Sequence, residues 1–157
     1  MRIEPLQPQD WPAVRDIYAQ GIATGNATFE TQVPEWDVWD ANHLPYCRFV
    51  AREGDRVIGW AALSPISRRA VYAGVAEVSV YVATAAQGRG VGKALLRALI
   101  AAAEDAGIWT LQGSIFSENR ASLALHQACG FRIVGRRERI AQLHGVWHDT
   151  ILVERRS

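Results

Sequence analysis

The stretch Gln87-Gly88-Arg89-Gly90-Val91-Gly92 lies between a run of β-formers, VSVYV, and a run rich in alanine and leucine, KALLRALIAAA. Glycine destabilises the interior of a regular element by roughly 0.5–1 kcal/mol. Three glycines within five residues therefore imply either an unusual backbone path or a ligand that must come close to the main chain. A tight turn would satisfy the first reading. The second is an anion site whose ligands are backbone N–H groups at the start of a helix, with Arg89 and Lys93 adding positive charge. The glycines fall at 88, 90 and 92, which breaks the G-x-G-x-x-G dinucleotide fingerprint, and Lys93 is followed by alanine, which breaks the phosphate loop ending in GK[ST].

Just upstream, Glu77, Ser79 and Tyr81 alternate with Val78, Val80 and Val82. A two-residue period places the valines on one sheet face and the polar groups on the other, so a carboxylate stands on the strand that feeds the glycine loop. Metal chemistry is not suggested. Of His43, His126, His144 and His148, only the last two are close in sequence, and no acidic or thiol cluster joins them. Cys47 and Cys129 form neither a CxxC site nor a disulfide framework, which makes a reducing, cytoplasmic setting the expectation.

The elements that must position these groups follow from periodicity. Ile3 to Leu6 reads as a strand. Asp10 is the expected N-cap of a helix with Pro12 in its first turn and Val14, Ile17 and Tyr18 on its apolar face. Gly21 to Glu30 reads as a loop, and Trp36, Trp39 and His43 mark a short helix ending at Pro45. Phe49–Glu53 and Arg56–Leu63 flank Gly54-Asp55 as a hairpin, and Val71–Ala83 is strand-rich. After the glycine loop, Leu95, Leu96, Leu99, Ile100 and Ala103 form a helical stripe stopped by Gly107. Trp109–Ile115 is a strand, and a helix capped by Ser117 or Asn119 runs to Ala128. Phe131–Gly135 is a further strand, and Arg139–Leu143 and Trp147–Val153 form a hairpin about Gly145. The order β-α-α-β-β-β-α-β-α-β-β predicts an α+β fold, a mixed sheet carrying helices, rather than a doubly wound one.

Composition sets the outer limits. A chain of 157 residues with 49% hydrophobic content suits one domain, 1–157, with a real core. The formal net charge of +1, from 17 basic and 16 acidic residues, gives no bulk attraction to a polyanion. The clusters Arg136-Arg137-x-Arg139 and Arg155-Arg156 are short, so no nucleic-acid partner is expected. There is no apolar run of spanning length and no apolar signal segment in MRIEPLQPQDW, so no membrane partner is expected either.

The ordered set of motifs resembles the GCN5-related N-acetyltransferase family. Gln87, Gly90 and Gly92 match its Gln/Arg-x-x-Gly-x-Gly/Ala signature, supported by the Glu77–Val82 strand, the helix from Asn119 to Ala124 and the Cys129-Gly130-Phe131 turn. Thr28-Phe29-Glu30, Glu77-x-Ser79-Val80-Tyr81-Val82 and His144-Gly145-x-Trp147-His148-Asp149 resemble its phosphinothricin and methionine-sulfoximine branch. The resemblance implies the family's mixed, mostly antiparallel central sheet flanked by helices, and acetyl-CoA as donor. The backbone of Gly88, Arg89, Gly90, Val91 and Gly92 would receive the pyrophosphate, with Lys93 nearby. The strand Val80-Tyr81-Val82 would lie along the pantetheine arm, and Asn119 near the thiol, its alternative being a helix cap.

The resemblance also distributes roles. Glu77 is the first candidate for general base, and Glu30 is its rival or the holder of the substrate ammonium. His126 stands where many relatives carry a tyrosine that hydrogen-bonds the departing thiolate; its alternative is a packed helix histidine. Phe29, Trp36 and Tyr72 would wall the acceptor pocket. Arg68 or Arg69 would pair with an α-carboxylate, and Trp147 and His148 would approach the pocket. A small amino-acid-like acceptor and a two-fold homodimer through the C-terminal hairpin are expected. The alternatives are an acetyltransferase for protein N-termini or general amines, and a non-catalytic acyl-CoA-binding module.

Overall fold

A computed structural model describes residues 1–157. The strands are β1 (Arg2–Pro5), β2 (Phe49–Glu53), β3 (Arg56–Pro65), β4 (Val75–Val82), β5 (Thr110–Phe116), β6 (Arg132–Leu143) and β7 (Val146–Arg156). The helices are α1 (Trp11–Ala23), α2 (Trp36–Asn42), α3 (Val91–Asp105) and α4 (Arg120–Ala128). Their order is the expected one, with the two segments read between the last helix and Gly145 joined in the single strand β6. The strands form a seven-stranded sheet in the order β1-β2-β3-β4-β5-β7-β6. Every pairing is antiparallel except β4 with β5, which is parallel.

Adjacent residues of a strand point to opposite faces, and β3 shows what covers each. Trp60 packs on Tyr18 of α1 and Trp39 of α2, both with ring centroids 5.5 Å away. A Cβ on the neighbouring Gly59 would lie 2.9 Å from Leu95 and 3.2 Å from Val91 of α3. So α1 and α2 cover one face and α3 the other. α4 lies beside α3, where a Cβ on Gly92 would meet Leu125 at 3.3 Å. The α3 stripe is buried as its period requires, with Leu95, Leu96 and Leu99 fully enclosed. Each such leucine contributes on the order of 1.5–3 kcal/mol.

Several local expectations are corrected. Asp10 does not cap α1 through its side chain. Its carboxylate instead accepts from the Gln7 N–H at 2.9 Å and from Arg52 at 2.9 Å, because a short 3₁₀ turn, Pro8–Asp10, precedes the helix. Helix α1 continues to Ala23, into the stretch read as loop, because Gly21 leaves room for the Tyr81 ring and is retained inside the helix. β4 begins only at Val75; Ala70–Tyr72 is a 3₁₀ turn. The two segments Phe131–Gly135 and Arg139–Leu143 belong to one strand, β6, whose register shifts at Ile133/Gly135 and Arg137/Ala141. Bulges of this kind let a strand bend without ending.

The parallel ladder is short. β4 and β5 pair only at Val75↔Thr110, Ala76↔Leu111 and Glu77↔Gln112. β4 continues to Val82, paired with β3 down to Gly59↔Val82, while β5 continues to Phe116, paired with β7. Beyond Glu77 the two strands part, and the edge of β4 that faces β5 is left unpaired.

No helix is long and apolar enough to cross a membrane. No group of three or more His, Cys, Asp or Glu side chains is arranged to hold a metal ion. Both cysteines are free.

The close approach of α3 to β3 at Gly59 yields a stability prediction. Gly59→Ala must displace Leu95 or Val91 and crowds the Tyr81 carbonyl, 3.1 Å from the new Cβ. Overpacking of this kind costs about 1–3 kcal/mol, to be read as a lower urea midpoint at unchanged m-value. An unchanged midpoint would show that α3 does not seat against β3 through this glycine.

Candidate active site

The gap between β4 and β5 opens into a cleft of about 790 Å³. Its walls are Glu77–Val82 of β4, Ser114–Phe116 of β5, Asn119 at the cap of α4 with the face of that helix that carries Ser122 and His126, the glycine loop with the start of α3, and part of the α1–α2 loop from Thr24 to Glu30.

The glycine loop follows the strand through a 3₁₀ turn at Thr84–Ala86. Gly88 and Gly90 are left-handed, with φ of 77° and 80°, and a Cβ on either would meet nothing within 4 Å. It is backbone conformation that requires glycine there, and the space beside the main chain is free for a ligand. Gly90 is the N-cap of α3 and supplies no side-chain acceptor. The first-turn N–H groups therefore lack intrahelical partners; the first α3 bond is Ala94 N–H to the Gly90 carbonyl at 3.1 Å. Uncapped N–H groups, the positive helix end and Lys93 together make an anion cradle. Gln87, Gly88, Gly90, Val91, Gly92 and Lys93 line the cleft. The Arg89 side chain does not; it is ion-paired with Glu53 at the end of β2.

Strand alternation sorts the remaining groups by face. Val78, Val82 and Gly113 face the α3–α4 side: a Cβ on Gly113 would lie 3.6 Å from both Val78 Cγ2 and His126 Nε2, and Val82 reaches Gly92. Glu77, Ser79 and Tyr81 therefore face the α1–α2 side, where Tyr81 stacks on Trp60 at 4.8 Å and meets Tyr18, tilted, at 4.9 Å. Burial, followed by the nearby Tyr18, pushes the Tyr81 phenol well above the usual range, so it stays protonated. The half-buried Glu77 carboxylate accepts through Oε1 from Gln112 Nε2 at 3.2 Å and from Ser114 Oγ at 3.5 Å. Glu30, exposed on the α1–α2 loop, lines the same side, its N–H bonded to Thr28 Oγ1 at 3.1 Å.

His126 is buried on the opposite side. Its Nδ1 lies 2.7 Å from the Ser122 carbonyl oxygen, and its ring meets Phe131 edge-on at 5.1 Å. A carbonyl can only accept, so Nδ1 carries the proton. Burial lowers the His126 pKa, partly offset by that hydrogen bond. In the neutral ring Nε2 is then an acceptor. Asn119 caps α4 by accepting from Ser122 N–H at 3.2 Å, and its Nδ2 donates to the Asn26 carbonyl at 3.3 Å, pinning the α1–α2 loop across the cleft. Phe29 docks the same loop onto Phe116 at 4.6 Å.

Six other expected site residues stand apart. His148 does not line the cleft but backs it: it packs on Phe116 at 4.7 Å, and its Nδ1 lies 2.7 Å from Glu118. Trp147 is exposed under the Arg139 guanidinium at 4.9 Å. Arg68, Arg69 and Tyr72 are exposed on the β3–β4 connection, with Arg69 over the Tyr72 ring at 5.6 Å. Trp36, expected as a pocket wall, packs between Trp11 and Trp39 instead. The sequence reading missed Gln112, Ser114 and Phe116. They alternate along β5 as a polar-to-aromatic face, but only the β4–β5 register places that face beside Glu77.

The chain matches the Acetyltransferase (GNAT) family over residues 11–131. It is 37% identical to phosphinothricin N-acetyltransferase of Alcaligenes faecalis, across 98% of this chain and 81% of that one. A crystal structure of a phosphinothricin acetyltransferase from Sinorhizobium meliloti in complex with AcCoA superposes with a TM-score of 0.90 at 28% identity, covering 99% of this chain and 87% of that one. Ribosomal-protein-alanine N-acetyltransferase from Brucella melitensis superposes at 0.93 with 28% identity and complete coverage of both chains.

The histidines give a pH prediction. Burial lowers the pKa of both His43 and His126. The unfolded chain therefore takes up protons first as pH falls, and the stability held above about pH 6.5 declines below it. Thermal unfolding should show a lower Tm at pH 5.5 than at pH 7.5, with a shallower slope in His126→Gln. A flat wild-type profile over that window would contradict burial of neutral rings.

Proposed function

The chain belongs to the acetyltransferase (GNAT) family, and from that premise we propose that it moves the acetyl group of acetyl-CoA to the amine of a small amino-acid-like acceptor of the phosphinothricin, methionine sulfoximine or methionine sulfone kind. One observation carries the reading. The parallel ladder ends at Glu77↔Gln112, so a carboxylate stands where an unpaired strand edge begins, and that edge leads directly to an anion cradle.

The residues present fit acetyl-CoA. The open space beside Gly88 and Gly90 and the uncapped start of α3 suit a pyrophosphate, with Lys93 adding charge. The backbone groups of Val80 and the Val82 N–H, which have no partner on β5, suit the amides of a pantetheine arm, while the Val82 carbonyl accepts from Gln87 Nε2 at 3.5 Å. When bound, acetyl-CoA supplies a thioester whose C–S bond breaks as the new C–N bond forms. Glu77, through its free Oε2, takes up the proton that the attacking nitrogen releases and passes it to solvent. His126 can donate to the departing sulfur only as imidazolium, which burial disfavours, so the sulfur takes its proton from water. Glu30 adds a second negative charge on the acceptor side and attracts the ammonium.

Similarity to a phosphinothricin N-acetyltransferase supports the acceptor class, as does the aromatic wall of Phe29 and Phe116. We keep Arg68 or Arg69 as partner of an acceptor carboxylate because their connection leads into β4 just before Glu77. Similarity to a ribosomal-protein-alanine N-acetyltransferase supports a second reading, acetylation of a protein N-terminus. For assembly we propose a two-fold homodimer through the β6–β7 hairpin, where Ile133, Val134, Ile140, Val146 and Trp147 are exposed.

Glu77→Gln should lower kcat by about 10²–10⁴-fold at neutral pH and recover in part at alkaline pH, where the amine is already neutral; a wild-type pH–rate profile would remove Glu77 from the role. Thiol release should be fast with methionine sulfone, methionine sulfoximine or phosphinothricin. It should be at least about tenfold slower in kcat/KM, or about 1.4 kcal/mol, with their methyl esters. Equal rates for acid and ester would end the carboxylate assignment, and preference for an alanine-terminated peptide would select the second reading. Light scattering should report twice the chain mass at micromolar concentration; a monomer would exclude the hairpin interface.

A further inference from the structure

We infer that Gln112 is a positioning residue for Glu77, fixing which carboxylate oxygen faces the acceptor. The inference rests on the reading of Glu77 as general base. Gln112 and Glu77 form the last rung of the β4–β5 ladder, so in register their side chains leave the same face of the sheet side by side. The Gln112 backbone is held on both sides, by Glu77 on β4 and by Glu154 on β7. From that fixed origin its amide donates to Glu77 Oε1 at 3.2 Å. Ser114 reaches the same oxygen, at the longer 3.5 Å. Both side-chain hydrogen bonds of Glu77 thus fall on Oε1, and Oε2 is left without a protein partner.

Glu77 lines the cleft, whereas Gln112 does not. Gln112 therefore acts through the carboxylate and not by touching substrate. Its chemistry suits the task. An ammonium or guanidinium at this point would bind the carboxylate as an ion pair and oppose its uptake of a proton. A neutral amide orients one oxygen and leaves the negative charge available to the other. Without the Gln112 tether only the longer Ser114 contact holds Oε1, the carboxylate rotates more widely, and the population with a lone pair directed at the acceptor nitrogen falls. Misplacement on that scale lowers turnover and leaves donor binding intact. The other titratable groups lining the cleft are Glu30 on the α1–α2 loop, Tyr81 on the same face, Lys93 at the start of α3 and His126 across the gap. None of them hydrogen-bonds Glu77.

The test uses Gln112→Leu, Gln112→Glu, Glu77→Gln and the double variant Glu77→Gln/Gln112→Leu. Gln112→Leu should lose about tenfold in kcat, with acetyl-CoA affinity, measured by calorimetry without acceptor, within about twofold of wild type. Gln112→Glu places a like charge beside Glu77 and should move the acid limb of the kcat/KM profile up by about one pH unit. In the Glu77→Gln background, Gln112→Leu should cause no further loss, since two residues that act as a unit are not additive. An undisturbed kcat in Gln112→Leu with an unmoved acid limb in Gln112→Glu overturns the inference alone, provided Glu77→Gln is itself crippled. So does a loss that persists in the Glu77→Gln background or is matched by weaker acetyl-CoA binding, since either marks a general structural role. A fully active Glu77→Gln enzyme overturns the base reading and this inference with it. Should the leucine variant fail to fold, the acid limb of Gln112→Glu decides by itself.

Discussion

The end of the β4–β5 ladder at Glu77↔Gln112 is the constraint on which the rest depends. A strand edge inside a sheet normally satisfies its N–H and C=O groups with the next strand, and unpaired buried groups are destabilising. Here β4 runs on from Val78 to Val82 with one edge paired to β3 and the other open. That state is tolerable only because the gap widens into a cleft reached by water or a ligand. β5 keeps its own second edge paired with β7 throughout, so the opening does not spread through the sheet. The sheet is continuous below Glu77 and forked above it.

Strand alternation then divides the chemistry between the two faces of the fork. The anion cradle, Val82 and His126 belong to the α3–α4 side, while Glu77, Ser79 and the Tyr81 ring belong to the α1–α2 side. In the proposed transfer this division suits a donor lying in the gap whose thioester carbonyl offers one face to an amine entering from the α1–α2 side, where Glu77 stands. The aromatic cluster of Tyr18, Trp60, Tyr81 and Trp39 makes the acceptor face stiff. Centroid separations of 4.8–5.5 Å are typical of favourable ring pairs, each adding about 0.5–1.5 kcal/mol beyond area burial.

Much of this was legible in the residues. The change of period from two to 3.6 across the glycine loop located β4, the turn and α3, and the alternation of Glu77 with the valines assigned the faces of the strand. What could not be read was register. Gln112 and Ser114 are ordinary polar residues in a strand, and nothing local says that they stand beside Glu77 thirty-odd positions earlier; the parallel pairing alone does so. Arg89 shows the same limit from the other side. It sits inside the motif, yet its side chain finds Glu53 at the end of β2, a neighbour supplied by the β2–β3 hairpin. Trp36 reads as a pocket wall because tryptophan suits one, but the aromatic core of Trp11 and Trp39 claims it.

The α1–α2 loop packs Val33 against the core, and its part that faces the cleft has few attachments. Asn119 holds it through one hydrogen bond to the Asn26 carbonyl, and Phe29 holds it by packing on Phe116, which His148 supports from behind. Such contacts are worth about 1 kcal/mol each, so the loop is docked without being locked. Asn119 spends its carbonyl oxygen on capping α4 and its amide on the loop, which couples the start of α4 to the acceptor wall. That wall presents aromatic carbon from Phe29 and Phe116 together with the carboxylates of Glu30 and Glu77. In the proposed function, the acceptor would meet an apolar surface for its side chain and negative charge for its ammonium. The ammonium would then be drawn toward the point where the ladder ends, beside the only carboxylate in the cleft that a neighbouring strand holds in place.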